Sequence, residues 1–141
     1  DFLPDETFCF TYGDGLCNLD IGKSIDFHKK NNNFGTVTAV QPPGRFGALD
    51  VAETKVSSFK EKPNGDNGWI NGGFFVFEPK IFDYIDDDDT ILERSPLEKL
   101  ANDGKLGAYR HEGFWQALDT LRDRTQLESL WNNGTAPWKT W

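Results

Sequence analysis

The chain has 141 residues with a formal net charge of -8, and 37% of its residues are hydrophobic. This length and composition are those of one folded domain, and the acidic balance argues against binding to nucleic-acid backbones or to anionic membrane surfaces. No apolar run approaches the roughly 18 residues that cross a bilayer, and the two cysteines lack the spacing of a zinc site or a disulfide framework. Composition therefore predicts a cytoplasmic domain with free thiols that binds neither nucleic acid nor membrane.

The first predicted element is a strand over Phe8–Tyr12 that ends at the turn Gly13-Asp14-Gly15. Its apolar and aromatic composition is typical of a buried parallel strand. Ligands of open α/β sheets bind at the carboxyl ends of strands, and Asp14 lies there between two residues without side chains. Two interpretations stay open: an ordinary turn, or a carboxylate with room beside it for a phosphate or a metal.

The next elements predict a βαβ unit over residues 8–40. Asn18 or Asp20 can cap a helix that runs to about Lys30, and the β-branched segment 36–40 is typical of a strand. The helix face expected to turn inward carries Leu19, Ile21, Ile25 and His28.

The middle of the chain predicts three strands. Residues 48–51 and 55–61 have the pattern of a hairpin, and residues 69–77 form the most strand-like segment of the chain. That segment contains Gly72 and Gly73, and glycines inside a strand often mark a close approach of another backbone or of a ligand.

The last part of the chain predicts a short helix from Pro79 to about Tyr84, a helix from Ser95 to Gly104, a strand over residues 106–111 and a helix ending near Trp131. Ser95 is expected to cap its helix, with Glu98 completing a capping box. The alternation of strands and helices predicts an α/β fold with a mixed sheet.

Two acidic features of the sequence differ in what they predict. The run Asp86–Asp89 is interpreted as a solvated loop in preference to a cation site, because adjacent side chains point in different directions. Asp14 and Asp119 each follow an apolar, aromatic-rich stretch, and together they would make a weak oxygen site suited to Mg²⁺, which takes its remaining ligands from water and phosphates. Asp119 has an alternative role as the cap of the last helix, which Thr120 could also fill.

Lys62 and Glu61, in the central loop, are residues of the type that binds a sugar phosphate. A lysine held in a rigid loop is a usual phosphate partner, and Lys62 is followed by a proline, although a solvent-exposed surface lysine is the alternative. Glu61 could accept hydrogen bonds from sugar hydroxyls.

Five motifs resemble those of the sugar-phosphate nucleotidyltransferases, in the order of that family: Gly13-Asp14-Gly15, Arg45-Phe46-Gly47, Glu61-Lys62-Pro63, Asn71-Gly72-Gly73 and the segment Trp115–Thr120. Residues 42–50 and 136–141 are similar to the members that transfer a cytidylyl group from CTP to glucose 1-phosphate. The resemblance covers nearly the whole chain. It implies a Rossmann-like α/β nucleotidyltransferase fold and a role in nucleotide-sugar synthesis for surface polysaccharide such as O-antigen.

The resemblance also implies a role for each matching residue. Asp14 and Asp119 would hold Mg²⁺, Lys62 would bind the sugar phosphate, and Glu61 would contact sugar hydroxyls. The other substrate contacts it implies are Gly13 against the nucleotide, Gly47, Asn71 and Gly72 in the sugar pocket, and Arg45 as a further basic group.

The family's opening Gly-rich loop, which cradles the triphosphate, and its base-reading segment have no counterpart in the 141 residues, which also contain no Met. We therefore expect residues 1–141 to be the C-terminal, sugar-phosphate- and metal-binding part of the domain, inactive alone. A homo-oligomer or a companion chain carrying the N-terminal half is expected. The alternatives are a non-catalytic module that binds a sugar phosphate or supports oligomerisation, and a uridylyl- or thymidylyltransferase on the same scaffold.

Overall fold

A computed structural model describes residues 5–42, 48–52, 55–60 and 68–141, with the backbone alone for residues 48–52 and 55–60. The elements, in chain order, are β1 (Phe8–Thr11), β2 (Gly15–Cys17), α1 (Ile21–Asn31), β3 (Gly35–Val40), β4 (Ala48–Ala52), β5 (Lys55–Lys60), β6 (Ile70–Phe77), a 3-10 helix (Pro79–Tyr84), α2 (Ser95–Asn102), β7 (Leu106–His111), β8 (Trp115–Ala117) and α3 (Leu121–Asn132).

The main sheet has four strands in the order β1-β6-β3-β7. β6 runs antiparallel to both β1 and β3, whereas β3 and β7 are parallel. Three of these strands therefore share one direction and β6 is reversed, which confirms the predicted mixed sheet. The pairs β2–β8 and β4–β5 form two antiparallel ribbons, and the second of these confirms the predicted hairpin.

The environment of β1 differs from the prediction of a buried strand with a parallel neighbour. It pairs antiparallel with β6, where Phe8 lies opposite Phe77 and Phe10 opposite Phe75. Phe10 is 42% exposed although its ring lies near those of Tyr12, Phe75 and Phe77, because β1 is at the edge of the four-stranded sheet. The βαβ unit predicted over residues 8–40 is correct in that β1 and β3 run in the same direction. It is wrong in that these two strands are not neighbours, because β6 lies between them.

The core lies on the face of the sheet that the 3-10 helix and α2 cover. It consists of Phe75 and Phe77 from β6, Ile81 from the 3-10 helix and Leu100 from α2. The rings of Phe75 and Phe77 stack with centroids 5.3 Å apart, and Leu100 is completely buried. Full burial of each such side chain stabilises the fold by about 1.5–3 kcal/mol.

The opposite face of the sheet is covered by α1. His28 on this helix is buried, with its Nδ1 2.8 Å from Thr36 Oγ1 and its Nε2 3.0 Å from Glu78 Oε1. These partners satisfy both ring nitrogens, so His28 belongs to the packing between helix and sheet. Ile21, by contrast, was expected to turn inward and is 56% exposed, because at the first position of α1 it borders an open cleft beside Phe74 and Val76 that leaves much of its side chain uncovered.

Two of the three α-helices, α1 and α3, begin with a side-chain N-cap, whereas α2 does not. Asp20 caps α1 as predicted, its carboxylate accepting a hydrogen bond from the backbone N–H of Lys23 at 3.0 Å. The predicted capping box of α2 is wrong: Arg94 occupies the N-cap position and no side chain caps the helix. The N–H groups of Leu97 and Glu98 donate to backbone carbonyls instead, so the Ser95 hydroxyl has no helix N–H to accept from.

Candidate functional site

The β2–β8 ribbon brings the two predicted metal ligands to the same place. Gly15 lies opposite Ala117 in this ribbon, and the N–H of Leu118 donates to the carbonyl oxygen of Asp14 at 2.7 Å. Asp119 is the residue after Leu118, so Asp14 and Asp119 share one end of the ribbon although they are distant in sequence. Both residues are exposed.

The start of α3 settles which residue caps that helix. Thr120 Oγ1 accepts a hydrogen bond from the N–H of Asp123, and the Asp123 carboxylate accepts one from the Thr120 N–H at 3.0 Å. The capping role considered for Asp119 is therefore filled by Thr120. Asp123 also accepts from Gln116 Nε2 at 3.0 Å, which ties β8 to α3 and holds the segment that contains Asp119 from both sides.

Open space lies on the Gly13 side of Asp14. A Cβ atom built on Gly13 would meet no atom within 4 Å, whereas one on Gly15 would be in ordinary contact with Phe74 at 3.7 Å. The room that the sequence predicts beside Asp14 is thus present at Gly13. The contact of Gly13 with a nucleotide stays a prediction.

The two glycines at the start of β6 are required by the protein's own backbone. A Cβ on Gly72 would come within 2.9 Å of the carbonyl oxygen of Thr38 and 2.8 Å of Val40 Cγ1, and Gly73 has a φ of +76°, in the left-handed region. The pairing of β3 with β6 is irregular at this point. The close approach predicted for Gly72 and Gly73 is therefore found between strands, and the role of Gly72 at the sugar stays a prediction.

Trp115 joins the ribbon to the main sheet. Its Nε1–H donates to the carbonyl oxygen of Gly72 at 2.8 Å. Trp115 itself lies opposite Cys17, but its indole reaches back to the Gly15 end of the ribbon, where a Cβ on Gly15 would be 3.8 Å from the carbonyl oxygen of Gly72. The end of the ribbon that carries Asp14 and Asp119 therefore lies beside Gly72. The sequence motif contains Trp115, but its spacing does not indicate this bond.

Tyr12, directly before the Gly13-Asp14 turn, was missed by sequence reasoning. Its hydroxyl donates to Glu93 Oε1 at 2.5 Å and lies 3.5 Å from Asn71 Nδ2. Burial, followed by the hydrogen bond to Glu93, raises the pKa of Tyr12 to about 12, so the phenol stays protonated at neutral pH. Glu93 stands in the connection between the 3-10 helix and α2, where no sequence pattern points to a site.

The remaining predicted site residues, Arg45, Gly47, Glu61 and Lys62, lie outside the described residues.

The acidic side chains fit a weakly held metal better than a closed metal site. Within the described ranges, no three His, Cys, Asp or Glu side chains form a group that could hold a metal ion. Two carboxylates still suit Mg²⁺, which is commonly held by one or two carboxylates together with water and substrate phosphates. The run Asp86–Asp89 is exposed, and Asp87 accepts from Asp89 N and Thr90 Oγ1 within the same loop, which supports the solvated-loop interpretation.

Two further sequence predictions concern cysteines and membranes. Cys9 and Cys17 are both free thiols, as predicted. Among the described helices, none has the length and apolar character that crossing a membrane requires.

Comparison with known proteins places the chain in context. The sequence profile described as "Nucleotidyl transferase" matches residues 1–131. A glucose-1-phosphate cytidylyltransferase of Salmonella typhimurium is 58% identical over 137 residues, which are 97% of this chain and 53% of that protein. The mannose-1-phosphate guanylyltransferase catalytic subunit beta of Dictyostelium discoideum is 32% identical over 129 residues, covering 87% of this chain and 36% of that protein.

Solved structures agree on the fold. HddC from Yersinia pseudotuberculosis aligns with a TM-score of 0.62 and 23% identity, over 89% of this chain and 55% of that one. This likeness confirms the predicted α/β nucleotidyltransferase fold. The chain spans about half the length of the Salmonella relative.

Proposed function

The chain belongs to the nucleotidyl transferase family, and we propose that the protein carrying it is a glucose-1-phosphate cytidylyltransferase. That protein would transfer the cytidylyl group of CTP to glucose 1-phosphate and release pyrophosphate. The observation that carries the proposal is the meeting of Asp14 and Asp119 at one end of the β2–β8 ribbon. The choice of CTP and glucose 1-phosphate is supported by the 58% identity to the Salmonella protein of that name.

In this proposal Asp14 and Asp119 hold Mg²⁺. The donor set fits the ion, because two exposed carboxylates beside open space leave coordination positions for water and for phosphate oxygens. Mg²⁺ bound there would neutralise charge on the phosphates. The ribbon pairing and the Thr120 cap fix the backbone next to both aspartates, which supports this assignment.

The other predicted residues would orient the substrates. Lys62 would bind the phosphate of the sugar and Glu61 its hydroxyls. Further substrate contacts are proposed for Gly13, Arg45, Gly47, Asn71 and Gly72. An oxygen of the sugar phosphate would then attack the α-phosphorus of CTP in line, the bond from that phosphorus to the pyrophosphate oxygen would break, and pyrophosphate would leave. Positioning and electrostatic stabilisation supply most of the catalysis in reactions of this class.

The proposal is tested with a chimera in which this chain replaces the matching segment of the Salmonella relative, so that a complete domain is present. Pyrophosphate release from CTP and glucose 1-phosphate is expected. Asp14→Asn should abolish it, whereas Asp88→Asn, which makes the same change in the exposed acidic loop, should not. A full rate from the Asp14 variant would contradict the metal assignment.

The base is tested separately, since the chimera takes its base-reading segment from the relative. The native protein, assayed with CTP, UTP, dTTP and GTP in parallel, is expected to prefer CTP. A preference for UTP or dTTP would favour the uridylyl- or thymidylyltransferase alternative. The isolated 141-residue chain should show no turnover, and pyrophosphate release from it would contradict the expectation that it is only the C-terminal part.

The nucleotide sugar would be made in the cytoplasm and used for surface polysaccharide. We also expect the protein to form a homo-oligomer or to pair with a companion chain. Of the two tail tryptophans, Trp138 packs on Phe114 with centroids 5.3 Å apart, whereas Trp141 is 81% exposed. Size-exclusion chromatography with light scattering would measure the mass of the particle.

A further inference from the structure

A chain of hydrogen bonds connects three side chains that lie next to the proposed sugar site. The Tyr12 hydroxyl donates to Glu93 Oε1 at 2.5 Å, Asn71 Nδ2 lies 3.5 Å from the same hydroxyl, and the Gly73 N–H donates to Asn71 Oδ1 at 2.8 Å. The first distance is that of a hydrogen bond to an ionised carboxylate. Glu93 is thus linked to Asn71 through one tyrosine.

The chemistry of these groups determines which of them donates and which accepts in each of these hydrogen bonds. An ionised carboxylate only accepts hydrogen bonds, so the single O–H proton of Tyr12 is committed to Glu93. The phenol oxygen can then only accept, and the NH₂ end of the Asn71 amide must face it. The Gly73 N–H requires the same orientation independently, because it needs the oxygen end of that amide.

We propose that Glu93 is a positioning residue: acting through Tyr12, it holds the NH₂ end of the Asn71 amide while the Gly73 N–H holds its oxygen end, so that an N–H faces the substrate. This inference rests on the proposed function, because Asn71 must lie at the sugar phosphate. An NH₂ group has two hydrogens, and Tyr12 takes one of them. The other is presented at an exposed position next to Gly72, where it would donate to an oxygen of the sugar 1-phosphate.

The position of Glu93 is held by the fold on both sides of it. Leu92 is partly buried and packs against the core cluster, and its carbonyl oxygen accepts from the Leu97 N–H at 3.1 Å. On the other side, the carbonyl of Arg94 accepts from the N–H of Glu98 at 3.0 Å. The carboxylate is therefore attached to the start of α2.

The test measures kcat and KM for each substrate in the chimera. Glu93→Ala and Tyr12→Phe should each raise KM for glucose 1-phosphate by about tenfold, because loss of one hydrogen bond to a charged or oriented group is of that order. KM for CTP and kcat should change less than about twofold, since neither depends on Asn71. The double variant should be no worse than either single one, because both break the same chain.

Two variants serve as controls. Glu93→Gln keeps an oxygen that accepts from Tyr12 and should recover most of the lost affinity, which a merely structural loss of charge would not predict. Glu6→Gln removes the same charge at the opposite end of β1, where the side chain is exposed, and should leave all constants unchanged. Equal KM values for glucose 1-phosphate in the Ala, Phe and parent proteins would overturn the inference, as would a fall in kcat alone.

The side-chain amide resonances of Asn71, recorded by nuclear magnetic resonance in the same proteins, separate this inference from the proposed function. They should shift in Glu93→Ala and Tyr12→Phe and not in Glu6→Gln. No turnover with any triphosphate, together with these shifts, would refute the proposed function and leave the orientation of Asn71 standing. Turnover without the shifts would overturn the inference and leave the function standing.

Discussion

Trp115→Phe should loosen the proposed site from the sheet while leaving an aromatic ring in place. The substitution removes the N–H that donates to the Gly72 carbonyl at 2.8 Å, and Gly72 is buried. A buried acceptor left without its partner costs about 1–3 kcal/mol. Because this bond connects the β2–β8 ribbon with β6, the same change should also lower kcat by displacing Asp14 and Asp119, which flank one end of that ribbon.

Urea denaturation of the parent and variant proteins would measure the first effect. The midpoint should fall with an unchanged slope, corresponding to a loss of about 1–3 kcal/mol in the free energy of unfolding. Trp131→Phe is the matched control, since Trp131 is 48% exposed on α3, and it should cost less than about 0.5 kcal/mol. A Trp115 variant with the stability and kcat of the parent would refute the view that this bond holds the site together.

Leu100→Ala should lower the free energy of unfolding by about 2–5 kcal/mol, because this fully buried side chain leaves a cavity; a loss below 1 kcal/mol in denaturation would contradict the assigned core. Gly73→Ala should cost about 1–2 kcal/mol, since a φ of +76° is unfavourable for a residue with a Cβ, and circular dichroism melting would measure it. The raised pKa of Tyr12, about 12 against 10.0, should give a contribution to stability that is complete below pH 10 and is lost as the pH rises toward 12; Tyr12→Phe should remove this alkaline loss in denaturation series at fixed pH.

Local sequence patterns predicted those elements whose structure depends on local interactions. The hairpin of β4 and β5, the long strand β6 and the Asp20 cap of α1 all depend on residues close to one another in the chain. The neighbours of β1 could not be predicted, because an aromatic run suits a parallel or an antiparallel partner and the choice depends on where β6 inserts. The predicted Ser95 cap of α2 is wrong for a similar reason, because backbone carbonyls accept from the N–H groups that the Ser95 hydroxyl was expected to cap.

In the candidate site, too, local patterns predicted less than the tertiary structure shows. The meeting of Asp14 and Asp119 followed from the resemblance in motif order, since no property of either aspartate alone separates a ligand from a turn or a cap. Glu93 and the indole N–H of Trp115 could not be found from sequence, because each acts through a partner that only the tertiary structure supplies. The spacing of Gly72 and Gly73 indicated a close approach, and the structure identified the approaching group as the backbone of β3 and the ring of Tyr12.

The reversed direction of β6 makes one strand responsible for two tasks. Its far end carries Phe75 and Phe77 into the core, and its near end carries Asn71 to the ends of β1 and β3. Successive side chains on a strand alternate between faces, so a slip of one residue would take both rings out of the core. The same slip would move Asn71 away from Tyr12. The packing free energy of two phenylalanines therefore sets the register of β6 against β1, and the irregularity at Gly72 and Gly73 then determines where Asn71 stands at the other end of the strand.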